Sequence, residues 1–509
     1  MGMAANPWPP TRNKRSLGPS APPSKFSMTE LASTAEVDGI ASARRYVLIA
    51  IAGLCAVCLL LPPHWFLYAG GGVAGVALLC YLLHALLEGR VDRLILAWVL
   101  LFPLGSYFLS FPRSKPLITL DRAIVGISLA AMLFARRDSW TPLGRALRRG
   151  AWMWALFLTA ACLSLLKTGL RPDSLRMCSD AFILPALFAW CVIAQFPVRR
   201  HLRTLHVLTC ILAIYLAVLG VVGLSRGEDL FALPGAGTYR AGVGLEKIVR
   251  VNGPFQTNHS FGLVGLIALF FLLFLRKAIQ TMPGWQRSLH WLGAPAALTV
   301  ALLPMFRSIA LTLLLALFIN SWSGGKRTAK IWALALAVSA FTILNATLPD
   351  IYQERVSSTE NVNARFAQLL QNADLFLQNP VLGVGIGNFG NAVPNVTRYS
   401  SLNPSGIDPL NAPHSNWMAI LTETGLVGLV SYVAAQIMLV AAFWKMHSGS
   451  AGKLVWKYSL FVFLAYGVSG MTLTSGHYGD LNIWFMFTVA ALYKYRLERQ
   501  PVLPAEPIA

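Results

Sequence analysis

Apolar segments recur along almost the whole sequence, and they constrain the fold more than any other feature. A bilayer core needs roughly 20 apolar residues per helix, and only helices and closed barrels satisfy their backbone hydrogen bonds inside it. The apolar segments number fourteen, some of them short, at about residues 46–61, 65–87, 94–109, 118–134, 151–166, 181–196, 207–224, 260–275, 291–303, 309–322, 331–348, 417–443, 460–473 and 481–493. The sequence therefore predicts an all-α polytopic membrane protein.

The net charge of +21 invites a nucleic-acid-binding interpretation, so the positions of the basic residues must decide. If residues 1–45 lie in the cytoplasm, that tail and the loops on the same side hold 28 of the 42 Lys and Arg residues. This is the positive-inside distribution that orients membrane helices. Most of the charge therefore predicts topology, and no nucleic-acid partner is expected.

The apolar and polar segments divide the chain into seven parts. Residues 1–45, rich in Pro, Ser and basic residues, are predicted to be a disordered basic cytoplasmic tail. The remaining parts are N-terminal transmembrane helices (46–224), a periplasmic loop (225–258), transmembrane helices (259–348), a large periplasmic loop (349–413), C-terminal transmembrane helices (414–493) and a cytoplasmic tail (494–509). Nearly all seven cysteines fall in apolar segments, so we predict no redox or thiolate-metal role for them.

Three arginines stand out on the side opposite the basic loops. Arg250 and Arg365 lie in the two long loops, and Arg307 lies in a short turn between two apolar segments. An arginine close to lipid is costly unless it is paired or solvated, and guanidinium groups bind phosphate bidentately. We therefore predict an anionic, membrane-borne substrate, with pairing to nearby carboxylates as the structural alternative. The pattern over residues 364–377 predicts a helix on the membrane surface.

A histidine stands at the start of one apolar segment. His414 follows Pro413, and Gly425 and Gly428 further along would let a neighbouring helix pack closely. The positive end of a helix favours neutral imidazole, which can then act as a proton shuttle. We predict that His414 is catalytic; the alternative is an interfacial histidine with a purely structural role.

A family resemblance rests on these residues. His414, Ser415, Gly425 and Gly428 match the ligase pattern of a His, then Asn, Ser or Gln, nine variable residues, and Gly-x-x-Gly. Further matching features are Arg250 with the 253–255 turn and Asn258, Arg307-Ser308 at a helix junction, and Arg365 ahead of the glycine-rich stretch 379–389. The chain resembles the O-antigen ligase and O-antigen polymerase family over about residues 250–432.

The resemblance implies a GT-C type helical bundle of about 12–14 transmembrane helices in the bacterial inner membrane, covered on the periplasmic face by the two long loops. It implies transfer of a glycan from undecaprenyl diphosphate to lipid A core or to a growing polysaccharide, with no nucleotide or metal cofactor. In this chain, His414 would activate the acceptor hydroxyl, and Arg250, Arg307 and Arg365 would hold the diphosphate.

Several other residues receive weaker predictions. Asn258, Ser415, Glu423, Gly425 and Gly428 are predicted to support the site; for Glu423, orienting a group, pairing with an arginine and a structural role remain open. His259 and His477 could touch substrate, although a structural or solvated role is favoured. The G-x-G-x-x-G match at 385–390 follows no predicted strand, so a dinucleotide site is rejected. We expect it to bring backbone close to a helix or to the diphosphate, with N–H groups available to an anion.

Three classes of function remain to be compared. An O-antigen ligase is favoured, and a polymerase of O-antigen or exopolysaccharide is the alternative within the same family. A flippase or other transporter of lipid-linked glycan is a more distant alternative, because the sequence lacks the matching interrupted halves typical of transporters. A structural scaffold would tolerate replacement of His414, Arg307 and Arg365.

Overall fold

The computed structural model describes residues 84, 88, 90–105, 118–134, 145–226, 239–241, 248–255, 257–304, 306–323, 359–393, 413, 415–472 and 474–498. The chain divides into two compact units, Met1–Tyr81 and Leu82–Ala509. All described residues belong to the second unit. The predicted tail at 1–45, the apolar segments at 46–61 and 331–348, and nearly all of the segment at 65–87 lie outside the described residues. Of the tail predicted at 494–509, residues 494–497 belong to the last helix and residues 499–509 lie outside the described residues.

The described residues form helices almost throughout. In chain order the helices are α1 (Val91–Gly105), α2 (Leu120–Phe134), α3 (Arg145–Leu165), α4 (Pro172–Cys178), α5 (Leu184–Gln195), α6 (Leu202–Arg226), α7 (Asn258–Ala278), α8 (Gly284–Leu302), α9 (Arg307–Ser323), α10 (Thr359–Gln378), α11 (Phe389–Ala392), α12 (Asn416–Lys445), α13 (Gly449–Thr472) and α14 (Gly479–Leu497). Two short strands, β1 (Tyr239–Ala241) and β2 (Ile248–Arg250), pair antiparallel between α6 and α7.

Six helical stretches within the described residues are long and apolar enough to cross a membrane. They are Leu147–Thr168, Pro172–Gln195, Leu202–Arg226, Asn258–Ala278, Asn416–Lys445 and Gly449–Met471. The second of these joins α4 to α5 through a π-helical turn at Ser179–Ile183. These helices confirm the prediction of an all-α polytopic membrane protein.

Most helices extend beyond the apolar segments that predicted them. Helix α3 begins at Arg145 and α13 at Gly449, whereas the apolar segments begin at 151 and 460. The added turns carry polar and basic residues, which continue a helix well although they do not belong in hydrocarbon. Hydropathy therefore locates the buried middle of each helix and misses its ends.

Contacts between helix ends define two ends of the helical bundle. At one end, called the basic end here, the Arg203 guanidinium donates to Thr281 O at 3.1 Å, and the Arg199 backbone N–H donates to the Glu498 carboxylate at 2.9 Å. At the other end, called the site end, α7, α9, α12 and α14 begin. The site end carries the residues that the sequence singled out.

Between the two ends, aromatic side chains from α1, α5 and α14 fill the interior. Trp98 and Trp484 are fully buried, and Phe102 stacks on Trp484 with ring centroids 5.1 Å apart. Phe188 meets Trp98 edge to face at 4.4 Å. Aromatic pairs in these offset geometries add about 0.5–1.5 kcal/mol beyond the area they bury. This core fixes the frame on which the site end is built.

Candidate functional site

Helix α12 is broken at Gly425, within the Gly-x-x-Gly motif. Gly425 has φ 70° and ψ −169°, a conformation that is essentially confined to glycine. Residues 416–424 and 426–445 therefore form two helical halves within one membrane-crossing segment. A break within a membrane-crossing segment frees backbone groups that need partners inside the protein.

A loop between α10 and α11 supplies those partners. Its residues 380–385 run past the break in α12 and bond to both halves of that helix. The joining hydrogen bonds are Val384 N–H to Thr422 O at 2.8 Å, Gly385 N–H to Glu423 O at 3.0 Å and Leu426 N–H to Pro380 O at 2.8 Å. The break is thus satisfied by main chain from a segment about forty residues earlier in the sequence.

Glycines allow the loop and the helix to approach this closely. A Cβ on Gly425 would collide with the Val381 carbonyl group, and a Cβ on Gly383 would collide with the main chain of Glu423. A Cβ on Gly428 would instead meet the Thr424 side chain of the same helix. The prediction that Gly425 and Gly428 admit a neighbouring helix is corrected: Gly425 admits a loop, and Gly428 makes room for a side chain one turn away.

The glycine-rich loop does not offer its central N–H groups to an anion. As predicted, its backbone lies close to a helix, but four successive amides are already bonded. Those bonds are Gly383 N–H to Asn379 O, Val384 N–H to Thr422 O, Gly385 N–H to Glu423 O and Ile386 N–H to Ser164 Oγ. Within the predicted stretch 385–390, the N–H groups of Gly385 and Ile386 are bonded as above and Asn388 N–H donates to Gly385 O at 3.1 Å, so the expectation of N–H groups free for the diphosphate is wrong for these three residues.

A buried hydrogen-bonded network holds the start of α12. Asn416, 1% exposed, accepts from Gly476 N–H at 2.9 Å and donates to the Tyr432 hydroxyl at 3.3 Å. The Tyr432 and Tyr466 hydroxyls are 3.4 Å apart, and Tyr466 donates to Asn482 Oδ1 at 2.8 Å. Burial makes each unsatisfied member of such a network costly, so α12, α13 and α14 are fixed relative to one another at the site end.

Glu423 and His477 meet beside the break. Glu423 is 2% exposed, and its Oε2 lies 3.0 Å from His477 Nε2. The two atoms are within ion-pair distance, although the ring N–H is not aligned for a hydrogen bond and neither atom has another hydrogen-bond partner among the described residues. The described partner of Glu423 is thus a histidine on the connection between α13 and α14, and no sequence pattern pairs these two residues.

Carboxylates of two further elements anchor the site end. Arg122, at the start of α2, donates to both oxygens of Asp180 in the π-helical turn, at 2.8 and 2.7 Å. The Ser260 hydroxyl, near the start of α7, donates to Asp480 Oδ1 at 3.2 Å. Burial raises the pKa of the Tyr478 phenol, and the neighbouring Asp480 charge raises it further against the lowering effect of a bond with Thr474. Tyr478 therefore remains protonated.

Helix α10 lies against the broken helix with its polar face inward. Gln371 and Asn372 are buried, and the Thr422 hydroxyl donates to Asn372 Oδ1 at 2.8 Å. Phe366 and Leu369 on the opposite face are 53% and 43% exposed. A helix that buries amides and exposes large apolar side chains fits the predicted position at a membrane surface, where the apolar face meets lipid.

The structure describes some of the residues predicted from the sequence fully, others only by their backbone, and one not at all. Arg307 is the exposed first residue of α9, Asn258 is the first residue of α7, and Ser415 precedes α12 in an extended conformation. The backbones of Arg250, at the end of β2 opposite Tyr239, and Arg365, in α10, are described, but their side chains are not. His414 lies outside the described residues. The structure therefore brings Glu423, Gly425 and Gly428 together and leaves the arginine cluster a prediction.

His259 is buried beside an aromatic ring. Its ring is 2% exposed and meets Phe306 edge to face with centroids 5.1 Å apart. Neither ring nitrogen has a hydrogen-bond partner among the described residues. This burial excludes a solvated role for His259, and the structural role and contact with substrate both stay predictions.

An apolar cavity of about 190 Å³ opens between α3, α5, α12 and α14. Trp154, Trp190, Leu439 and Met486 contribute to its wall. A smaller cavity of about 10 Å³ shares Trp154 and Met486 with it and reaches Asn482 of the polar network. An apolar space therefore approaches the site end from within the membrane-crossing part of the bundle.

The comparison with known families agrees with the sequence. Residues 296–433 match the O-antigen ligase family, which confirms the resemblance over that segment. The matched segment includes Arg307, Arg365, His414 and the broken part of α12. The family transfers glycans as ligases or polymerases. No curated protein matches the chain.

Proposed function

We propose, taking the O-antigen ligase match over residues 296–433 as the premise, that this protein transfers a glycan from undecaprenyl diphosphate to an acceptor hydroxyl at the periplasmic face of the bacterial inner membrane. The acceptor of the ligase reaction is lipid A core. A growing O-antigen or exopolysaccharide chain as acceptor would make the protein a polymerase. Neither a nucleotide nor a metal ion takes part in the proposed reaction.

One structural observation carries the proposal: helix α12 is broken inside the matched segment and locked there by a second part of the same segment. The 380–385 loop is hydrogen-bonded to α12 on both sides of the Gly425 break, nine residues after the start of the helix. Asn416, two residues after His414 in the sequence, is fixed by Gly476 and Tyr432. A catalytic group needs such support from buried, fully bonded neighbours.

The proposed reaction follows from the chemistry of a glycosyl diphosphate. His414 accepts the proton of the acceptor hydroxyl as its oxygen attacks the anomeric carbon of the donor sugar. The new glycosidic bond forms as the bond from that carbon to the diphosphate oxygen breaks. Undecaprenyl diphosphate leaves with the bonding electron pair, and the proton passes from His414 to the departing phosphate or to water.

Arginines would stabilise the leaving group. Negative charge grows on the diphosphate as it departs, and guanidinium groups remain positive and bind phosphate oxygens in pairs. Arg307 is exposed at the start of α9, where it is accessible to a ligand. Arg250 and Arg365 are assigned the same task from the family resemblance.

The apolar cavity, about 190 Å³ in volume, offers a place for a few isoprene units of the donor chain. Its wall of tryptophan, leucine and methionine side chains would exclude the diphosphate and accept an isoprenoid chain. The adjoining small cavity leads towards Asn482, and thus towards the network that holds α12. This arrangement supports a donor whose chain lies in the bundle and whose diphosphate lies at the site end.

Transport of lipid-linked glycan is the second candidate, because interrupted helices such as α12 are typical of secondary transporters. In transporters the free backbone groups of the break face a cavity and bind the transported ligand. Here Thr422 O, Glu423 O and Leu426 N–H are bonded to the loop. Because these backbone groups already have partners within the protein, the break favours a structural junction over a transport site.

The test is transfer by purified protein. Undecaprenyl diphosphate-linked glycan is supplied with lipid A core in the presence of a chelator, and products are separated by size and lipid linkage. Glycan attached to lipid A core supports the ligase proposal, and longer lipid-linked chains support a polymerase. Glycan that only crosses a vesicle bilayer, with no new glycosidic bond, contradicts both and favours transport.

A further inference from the structure

A histidine, a cysteine and a second histidine meet in the interior near the basic end. His206 and Cys210 lie one turn apart on α6, and His290 projects from α8. All three are buried, and their ligand atoms lie within 4.8 Å of one another. The sequence predicted no thiolate-metal role for the cysteines, because nothing in the α6 segment shows that α8, about 80 residues later, brings His290 next to Cys210.

The distances between these atoms resemble those around a bound metal ion. His206 Nε2 lies 3.1 Å from His290 Nδ1 and 3.9 Å from Cys210 Sγ. Tetrahedral zinc, with bonds of about 2.0–2.1 Å to nitrogen and about 2.3 Å to sulfur, separates two nitrogens by roughly 3.3 Å and a nitrogen from a sulfur by roughly 3.6 Å. Small side-chain movements would bring the three groups around one ion.

Two neighbouring residues hold the group in place. A Cβ on Gly293 would lie 2.7 Å from Cys210 Sγ, so the glycine lets α8 approach α6 one turn away from His290. Gln286 lies 3.2 Å from His206 Nδ1. The Gln286 Nε2 group also donates to Arg203 O at 3.3 Å. If the amide gave up this bond and turned its oxygen to the ring nitrogen, it would fix the proton on Nδ1 and leave Nε2 free as a ligand. Such outer hydrogen bonds commonly orient metal-binding histidines.

We propose that His206, Cys210 and His290 bind a thiophilic metal ion, Zn²⁺ or Cu⁺, that joins α6 to α8. One thiolate and two imidazoles without a carboxylate suit these ions and disfavour Mg²⁺ and Ca²⁺. Binding releases the Cys210 thiol proton to solvent, and each imidazole donates one nitrogen lone pair. The alternative is a metal-free pair in which His206 Nε2–H donates to His290 Nδ1.

The first experiment is metal analysis of full-length protein purified in detergent. Samples loaded with Zn²⁺, or with Cu⁺ under reducing conditions, are freed of excess ion, and metal and protein are measured together. We expect the wild type to retain close to one ion per chain in one of the loadings and to melt at a higher temperature with it. Loss of that ion in Cys210→Ser, but not in Cys191→Ser, would support the site, since Cys191 is a buried thiol of α5 outside the group.

A spectroscopic measurement keeps the proposal testable if Cys210→Ser does not fold. Wild-type protein loaded with Co²⁺ should show a thiolate-to-cobalt charge-transfer band that equimolar Zn²⁺ or Cu⁺ removes. Neither ion retained by the wild type together with no such band would overturn the proposal. Retention equal in wild type and a folded Cys210→Ser would also overturn it, because the ion would then be bound elsewhere.

Discussion

The Glu423 carboxylate lies 3.0 Å from His477 Nε2, and the two side chains are 2% and 10% exposed. One belongs to the broken helix α12 and the other to the short connection before α14. Gly476, next to His477, bonds to Asn416 at the start of α12. The pair therefore joins the break to the segment that follows His414 in the sequence.

A double-mutant cycle on this pair should show strong coupling. We expect Glu423→Gln and His477→Gln each to destabilise the protein, and the double variant to be less destabilised than the sum, with a coupling of about 0.5–3 kcal/mol, because each single variant leaves a buried partner without its contact. Unfolding in detergent micelles measures this. The exposed pair Asp173–Arg176, 3.4 Å apart, is the control and should couple by less than about 0.5 kcal/mol. Equal coupling in both cycles would contradict the assignment.

Replacing Gly425 should disrupt the contact between α12 and the 380–385 loop. Gly425→Ala forces a side chain into a conformation that favours glycine and against the Val381 carbonyl. We therefore expect the free energy of unfolding to fall by about 1–3 kcal/mol and the melting temperature to fall with it. Gly467→Ala in α13 is the matched control, since its Cβ would meet nothing within 4 Å. If both variants had the melting temperature of the wild type, α12 would not be broken at Gly425.

The sequence predicts the helices of this protein better than it predicts the junctions between them. Hydropathy locates the middles of α6, α7 and α12, because burial in lipid demands continuous apolar sequence. It gives no sign of the break at Gly425, whose partner is a loop about forty residues earlier. A glycine inside an apolar segment is compatible with close helix packing and with a break, and only the tertiary contact decides.

In the candidate site, too, the sequence predicts the segment but not the contacts between distant segments. The motif containing Gly425 and Gly428 lies in the segment that the family match covers, and its part in the reaction stays a prediction. The pairing of Glu423 with His477 and the group around Cys210 depend on how distant helices pack. Polar residues in apolar segments are the signal that could have indicated both, because buried polar groups require partners.

Arg307 should be needed for activity and dispensable for folding. It is exposed at the start of α9, so Arg307→Ala should retain the melting temperature while transfer falls by about 100-fold or more, through loss of charge stabilisation on the diphosphate. Arg307→Lys should recover part of the rate, since a lysine keeps the charge and loses the bidentate geometry. Arg226→Ala, at an exposed arginine ending α6, is the control and should transfer normally. Transfer by Arg307→Ala within a few-fold of wild type would remove Arg307 from the mechanism.

Helix α10 should contact lipid through its apolar face. Spin labels at Phe366→Cys and Leu369→Cys should collide mainly with oxygen, which concentrates in hydrocarbon, because both side chains are exposed on the outer face. A label at Asn391→Cys, an exposed polar position of α11, should collide mainly with a water-soluble nickel complex. Power-saturation electron paramagnetic resonance in lipid vesicles measures both. Labels on α10 that prefer the nickel complex would place this face in water.

Whether His414 carries out glycan transfer from a lipid diphosphate is tested by comparing three purified proteins in one assay. Wild type, His414→Ala and His447→Ala receive the same undecaprenyl diphosphate-linked glycan and lipid A core; His447 is an exposed histidine after α12 at the basic end. We predict that His414→Ala loses at least about 100-fold in rate at unchanged melting temperature, and that His447→Ala matches the wild type. Equal product from His414→Ala and wild type would show that His414 does not carry out the transfer.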